Sequence, residues 1–108
     1  MNQFTIEQDA NQCRVALADE LTASTVPDLQ AALKTEVEHG AMTVVFDLAR
    51  TVMLDSSGIG LMIATCNSLA RKQGLVRVQN AAPEILQLLQ SMRLVSRLNV
   101  TGRETSQT

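Results

Sequence analysis

Thr43-Val44-Val45-Phe46-Asp47-Leu48 is a short, nearly continuous apolar run. Such a run suits a strand buried on both faces, as in a parallel sheet. The flanking segments support this. Upstream, Val26, Leu29, Ala32 or Leu33, and Val37 fall on one stripe at helical spacing. The spacing predicts a helix over Thr22 to Glu38, with Ser24 or Thr25 as cap, Pro27 in its first turn and Gly40 as its stop. Downstream, a second helix is predicted from about Ser57 to Lys72. Its buried stripe is Ile59, Met62 or Ile63, Cys66, and Leu69 or Ala70. Arg71 and Lys72 suit its negative end, and Gly74 stops it.

The pattern then repeats. Leu75-Val76-Arg77-Val78-Gln79 reads as a strand. Asn80 and Pro83 open a third helix carrying Ile85, Leu86, Leu88, Leu89 and Met92. Leu98 to Val100 is a last short apolar piece. At the start of the chain, residues 3–7 and 13–17 alternate polar and apolar around a turn at Asp9, Ala10 and Asn11, which reads as a hairpin. The predicted order is ββαβαβαβ. That implies an α/β fold with a mostly parallel central sheet, an N-terminal hairpin, and helices packed against the sheet by right-handed crossovers. One domain over residues 1–100 is expected, followed by a disordered polar tail over 101–108.

Composition narrows the function classes. The chain has 108 residues, 45% of them apolar. A single domain of this size buries roughly 65% of the surface its unfolded chain exposes, enough for a core without staples. Two phenylalanines are the only aromatics, which argues against base-stacking platforms. Nine Lys or Arg against eleven Asp or Glu leave no basic stripe for nucleic acid or anionic membrane. No stretch approaches 18 apolar residues, so no membrane insertion is expected. Cys13, Cys66 and the single His39 match no metal spacing. The two cysteines read as buried thiols of a cytoplasmic protein. No metal and no cofactor is expected.

The resources for catalysis are thin. His39, the only histidine, precedes Gly40 at the end of a helical stretch, where it suits the helix dipole rather than general-base work. The reading is a protein that is not an enzyme.

One segment works against local rules: Leu54-Asp55-Ser56-Ser57-Gly58-Ile59-Gly60. It follows the buried strand and opens the second helix. No capping box completes it, because Gly58 and Ile59 stand where Glu or Gln would close the turn. Gly58 and Gly60 each cost about 1 kcal/mol in a helix interior relative to Ala. Local choices that oppose the fold tend to mark sites. The position also lies at the C-terminal end of a strand, where α/β folds place their ligands. Ser56 and Ser57 lack a local base, a nucleophile elbow and a phosphate loop with its Lys. Their hydroxyls read as acceptors of chemistry done by another protein. A phosphoserine at a helix N-terminus is stabilised by free N–H groups and adds roughly −1.5 to −2 charge.

With the preceding Val44-Val45-Phe46-Asp47-Leu48, the following Arg71-Lys72-Gln73-Gly74 and Ala82-Pro83 at the third helix, this turn resembles that of the STAS domain family, in particular bacterial anti-anti-sigma factors (anti-sigma factor antagonists). The resemblance covers about residues 3–100. It implies a partner switch. The unmodified domain binds an anti-sigma factor that is also a GHKL-type serine kinase, and binding frees the sigma factor. The kinase phosphorylates the serine directly after the Asp, here Ser56. The phosphorylated form lets go, and a PP2C-type phosphatase resets it. The resemblance makes Asp55 and Ser57 flanking residues of the acceptor. It makes Gly58, Leu61 and Thr65 a contact surface on the helix face away from the core. It also brings in the turn before the first helix, where Glu20 and Leu21 match the family's Gly-Glu-Leu-Asp-like pattern and Asp19 and Thr22 depart from it. Glu20 and Thr22 are thereby partner-binding candidates.

Many family members continue into a further helix after the last strand. Here eight polar residues follow Val100, which implies an uncovered apolar strip available to a partner or to a weak homodimer. The alternative role within the family is an accessory subunit bound constitutively to a lipid-transport ABC ATPase. The intact Asp55-Ser56-Ser57-Gly58 argues against it.

Overall fold

The computed structural model describes residues 3–103. Strands β1 (Phe4–Asp9) and β2 (Gln12–Leu17) form the hairpin, antiparallel with Phe4 opposite Leu17 and Asp9 opposite Gln12. Ala10, left-handed at φ 55°, turns the chain between them. A two-residue strand β3 (Glu20–Leu21) leads to helix α1 (Val26–Glu38). Then come β4 (Thr43–Asp47), the two-residue β5 (Met53–Leu54) and helix α2 (Ser56–Ala70). Strand β6 (Leu75–Ala81), helix α3 (Pro83–Ser91) and β7 (Val100–Gly102) follow. The main sheet has the order β1-β2-β4-β6-β7, parallel from β2 onward, and β3 pairs β5 in a separate parallel ladder. The α/β class, the mostly parallel sheet and the N-terminal hairpin are as the sequence implies.

Alternation along the strands sorts the two faces. Cys13, Val15 and Leu17 of β2 are buried, as are Val44 and Phe46 of β4 and Val76 and Val78 of β6. They form one core with Leu29 and Leu33 of α1, Ile59, Met62 and Leu69 of α2, and Ile85 and Leu89 of α3. The other face is polar. Arg14 donates through Nη2 to Asp47 Oδ2 at 2.9 Å and through Nη1 to Gln79 Oε1 at 3.1 Å, and Asn80 Nδ2 donates to Asp47 Oδ1. Burial pulls the Asp47 carboxyl up, but the bonds from Asn80, the Ala49 N–H and Arg14, with the Arg14 charge, outweigh it and hold the group below its ordinary range. Val45 is buried on this face between Arg14 and Arg77 in the register, where the stems of long side chains cover apolar surface. The central strand is thus buried on both sides, as its apolar run predicts.

Several boundaries differ from the sequence reading. α1 begins at Val26, not Thr22, because Thr25 N–H and Val26 N–H both donate to the Thr22 carbonyl and wind residues 22–25 into a turn. Thr25 occupies the N-cap without a side-chain cap bond. Gly40, at φ 107°, ends the helix in a conformation that suits glycine. On α3, Leu88 and Met92 are exposed because the helix buries a narrow stripe, Ile85 and Leu89. The expected tail is partly structured. Thr101 and Gly102 belong to β7, and the Arg103 N–H donates to the Ala81 carbonyl at 3.0 Å. Residues 104–108 lie outside the described residues. The expected apolar strip does not form at Leu94, Leu98 and Val100, which the core itself buries.

The thiols fit structural roles. Cys13 is buried, and burial followed by the Glu36 charge pushes its thiol up to about 11. Cys66 is half-buried, with Sγ 3.7 Å from the Arg97 carbonyl.

Candidate functional site

The turn between β5 and α2 is built around Asp55. Its backbone is extended, at φ −109° and ψ −177°, and it is the N-cap of α2. Oδ1 accepts the Gly58 N–H at 3.0 Å, which satisfies one of the helix's free first-turn donors. Oδ2 accepts the Ala23 N–H at 3.1 Å, in the turn before α1. The Asp55 N–H donates to the Leu21 carbonyl at 3.3 Å. One side chain thus ties together the starts of α1 and α2. The Gly58 N–H above all holds the Asp55 carboxyl below its ordinary range; desolvation opposes it, and the Ala23 and Ser57 N–H groups add to the lowering.

Ser56 and Ser57 are the first two residues of α2, and both are exposed. Among the described residues their hydroxyls engage no hydrogen-bond partner. Asp55 is no base for either, since both its oxygens are committed and its ionised form is favoured. His39 caps the far end of α1, thirteen helical residues from the turn. The arrangement offers a hydroxyl at a helix N-terminus without groups that would activate it.

The two glycines of the turn differ. A Cβ on Gly58 would meet the Leu21 carbonyl oxygen at 2.3 Å and Leu21 Cγ at 2.8 Å. Gly58 is buried and makes room for β3, not for a visiting molecule. Gly60 is exposed, with nothing within 4 Å of a Cβ built there.

Leu61 and Thr65 are corrected in the same way. The face expected to point away from the core is buried, with Leu61 5% and Thr65 6% exposed. α2 lies against both the sheet and α1, so it needs a wider apolar surface than a single stripe. The Thr65 hydroxyl donates to the Leu61 carbonyl at 2.8 Å, as a buried threonine in a helix must. At their outer edge both residues line a groove between α1 and α2, with Leu33 and Val37 opposite.

Glu20 and Thr22 part company. Thr22 is buried at 8% exposure and its hydroxyl donates to the Glu20 carboxylate, while Ser24 Oγ stands 3.1 Å from Thr22 Oγ1. Thr22 is therefore a lock of the turn. Glu20 remains exposed, fixed by that hydroxyl and paired in register with Met53.

Two residues escape sequence reasoning. Val52 is 74% and Met53 57% exposed, although both are large and apolar. Both side chains are exposed while the two main-chain N–H groups donate to the Asp19 carbonyl, at 2.8 and 3.3 Å. The available signal was an apolar pair outside any periodic run. With Glu20, Asp55, Ser56 and Ser57 they belong to one chain region at the β3–β5 ladder.

Among the described residues no set of His, Cys, Asp or Glu gathers as a metal site, and no helix is long and apolar enough to cross a membrane.

Comparison with known proteins agrees with this architecture. The chain superposes on the anti-sigma factor antagonist SpoIIAA in its unphosphorylated form with a TM-score of 0.82, at 23% identity over 96% of this chain and 90% of that one. The phosphorylated form of the Bacillus cell fate determinant SpoIIAA gives 0.77, at 23% identity over 96% and 94%. An anti-sigma factor antagonist from Mycobacterium paratuberculosis gives 0.77, at 22% identity over 90% and 82%. At these identities the likeness is one of fold. Among curated proteins no match is found. A family model described as "Mlab, STAS domain" matches residues 4–101, so that nearly the whole described chain is accounted for, and the protein belongs to the STAS domain family.

Proposed function

We propose that this protein is a phosphorylation-gated binding module without a reaction of its own, acting in the bacterial cytoplasm as an anti-sigma factor antagonist. In this reading the unmodified turn binds an anti-sigma factor that is also a GHKL-type serine kinase. Ser56 is the phosphoacceptor, and a PP2C-type phosphatase restores the binding form. The observation that carries the reading is the exposed Ser56 hydroxyl at the first position of α2, next to an Asp55 that is fixed and ionised. A phosphate there adds roughly −1.5 to −2 charge, and a partner closing over the turn would have to desolvate it beside a carboxylate. The likeness to a fold solved in both unphosphorylated and phosphorylated forms supports the same reading. Glu20, Asp55 and Ser57 flank the acceptor as contact residues. Gly58, Leu61, Thr65 and Thr22 support that surface from within, a narrower role than the sequence alone suggests.

The test is a pull-down from host lysate with wild type, Ser56→Ala and Ser56→Asp as baits, with captured proteins and the Ser56 phosphate identified by mass spectrometry. Wild type and Ser56→Ala are expected to retain a serine kinase that Ser56→Asp loses. Retention of one partner by all three baits, an ABC ATPase above all, would replace the switch with constitutive binding.

A further inference from the structure

The segment between β4 and β5, residues 48–52, determines how the chain reaches the acceptor turn. Two of its side chains anchor it and three do not. Leu48 is fully buried in the core and Thr51 is buried with its hydroxyl donating to the Ala18 carbonyl at 2.9 Å, whereas Ala49 and Arg50 are exposed and Val52 points into solvent. The Leu48 N–H donates to the Gln79 carbonyl and the Ala49 N–H to Asp47 Oδ1, and a further hold on the segment's carbonyls comes from residue 103. The Arg103 guanidinium reaches three main-chain carbonyls. Nη2 donates to Leu48 O and to Thr51 O, both at 3.1 Å, and Nε donates to Asn80 O at 3.2 Å. Leu48 and Thr51 stand 55 and 52 positions before Arg103 in sequence. The arginine therefore staples the 48–52 segment to the end of β6.

This arrangement depends on the residue type. A guanidinium is a rigid, planar set of donors that meets several acceptors at once, while an ammonium is a point charge on a flexible stem. Hydrogen bonds from a charged donor are roughly twice as strong as neutral ones. From the segment so held, the Val52 N–H continues to the Asp19 carbonyl, and the Asp55 N–H to the Leu21 carbonyl. We propose that Arg103 is a positioning residue for the acceptor turn: by binding the Leu48 and Thr51 carbonyls it fixes where Val52 and Met53 stand as the chain enters Asp55 and Ser56. The proposal deepens the reading of that turn as a binding surface and rests on it for what the positioned residues do.

Amide hydrogen exchange on the full chain tests it, comparing wild type, Arg103→Ala and Arg103→Lys. In Arg103→Ala the Val52 amide is expected to exchange at least about tenfold faster, as local opening does when its ties are removed, with the Phe46 and Met62 core amides at their wild-type rates. Arg103→Lys keeps the charge but not the fork, so Val52 is expected to be accelerated there too, and this variant serves if the alanine variant does not fold. An unchanged Val52 rate in either folded variant overturns the proposal. So does acceleration by the same factor at Val52, Phe46 and Met62, which would make Arg103 a contributor to global stability only. The experiment needs no partner, so its failure leaves the Ser56 reading standing. Conversely, a partner indifferent to Ser56→Asp leaves the staple standing.

Discussion

A Cβ placed on Gly58 would stand 2.3 Å from the carbonyl oxygen of Leu21. The first turn of α2 thus lies main chain against main chain on β3, and no side chain fits between them. Gly58→Ala must push the two apart, and the expected loss is about 1–3 kcal/mol, the usual cost of overpacking. Gly60→Ala meets nothing within 4 Å. There the removal of a helix-interior glycine is expected to stabilise by roughly 0.4–1 kcal/mol. Urea denaturation of the two variants checks both signs. Equal effects would contradict the packing described.

Leu61 offers a second contrast. As a surface leucine its truncation would be close to neutral. Buried between the sheet and α1, Leu61→Ala is expected to cost about 2–5 kcal/mol. The midpoint of chemical unfolding decides between them.

Acid should weaken the fold through Asp47 and Asp55. Both are held below their ordinary range when folded, so the unfolded chain takes up protons first, near pH 4. Their contribution is fully present above that pH and is lost as pH falls through the folded values. Thermal melts between pH 7 and pH 3 are expected to show a falling midpoint below about pH 4. Asp47→Asn is expected to start lower and fall less steeply.

Ser56 separates stability from binding. Its hydroxyl has no partner among the described residues, so Ser56→Ala is expected to stay within about 0.5 kcal/mol of wild type. Ser56→Asp places a negative charge in the first turn of α2, worth roughly 0.3–1 kcal/mol of added stability. Binding to the partner should nevertheless fall for Ser56→Asp alone. A parallel loss of stability in Ser56→Ala would make the serine a structural residue.

What could be read from the sequence followed periodicity. β2, β4 and β6 announce themselves by alternation or an apolar run, and α1 by its stripe, because the core imposes those patterns. The Asp55-Ser56-Ser57-Gly58 turn at the start of α2 is legible from residue type and position. The rest left no pattern. β3 and β5 are two residues each and are held by main-chain bonds, which any side chain permits. Gly58 and Gly60 are alike as letters and differ only in what lies beside them. Leu61 and Thr65 lie off the single apolar stripe that helical spacing predicts, yet α2 touches two neighbours and buries both. Arg103 serves carbonyls more than fifty residues away, and a side chain bound to distant main chain leaves no local trace.

Because residues 52 and 53 are anchored by their N–H groups on Asp19 and not by their side chains, those side chains are free to vary. Substitutions there change what the surface offers without taxing the fold. Related copies can therefore differ at this surface while keeping the same scaffold. Variation at this face is, on this architecture, confined to two exposed positions beside a turn that its own main-chain hydrogen bonds hold in place.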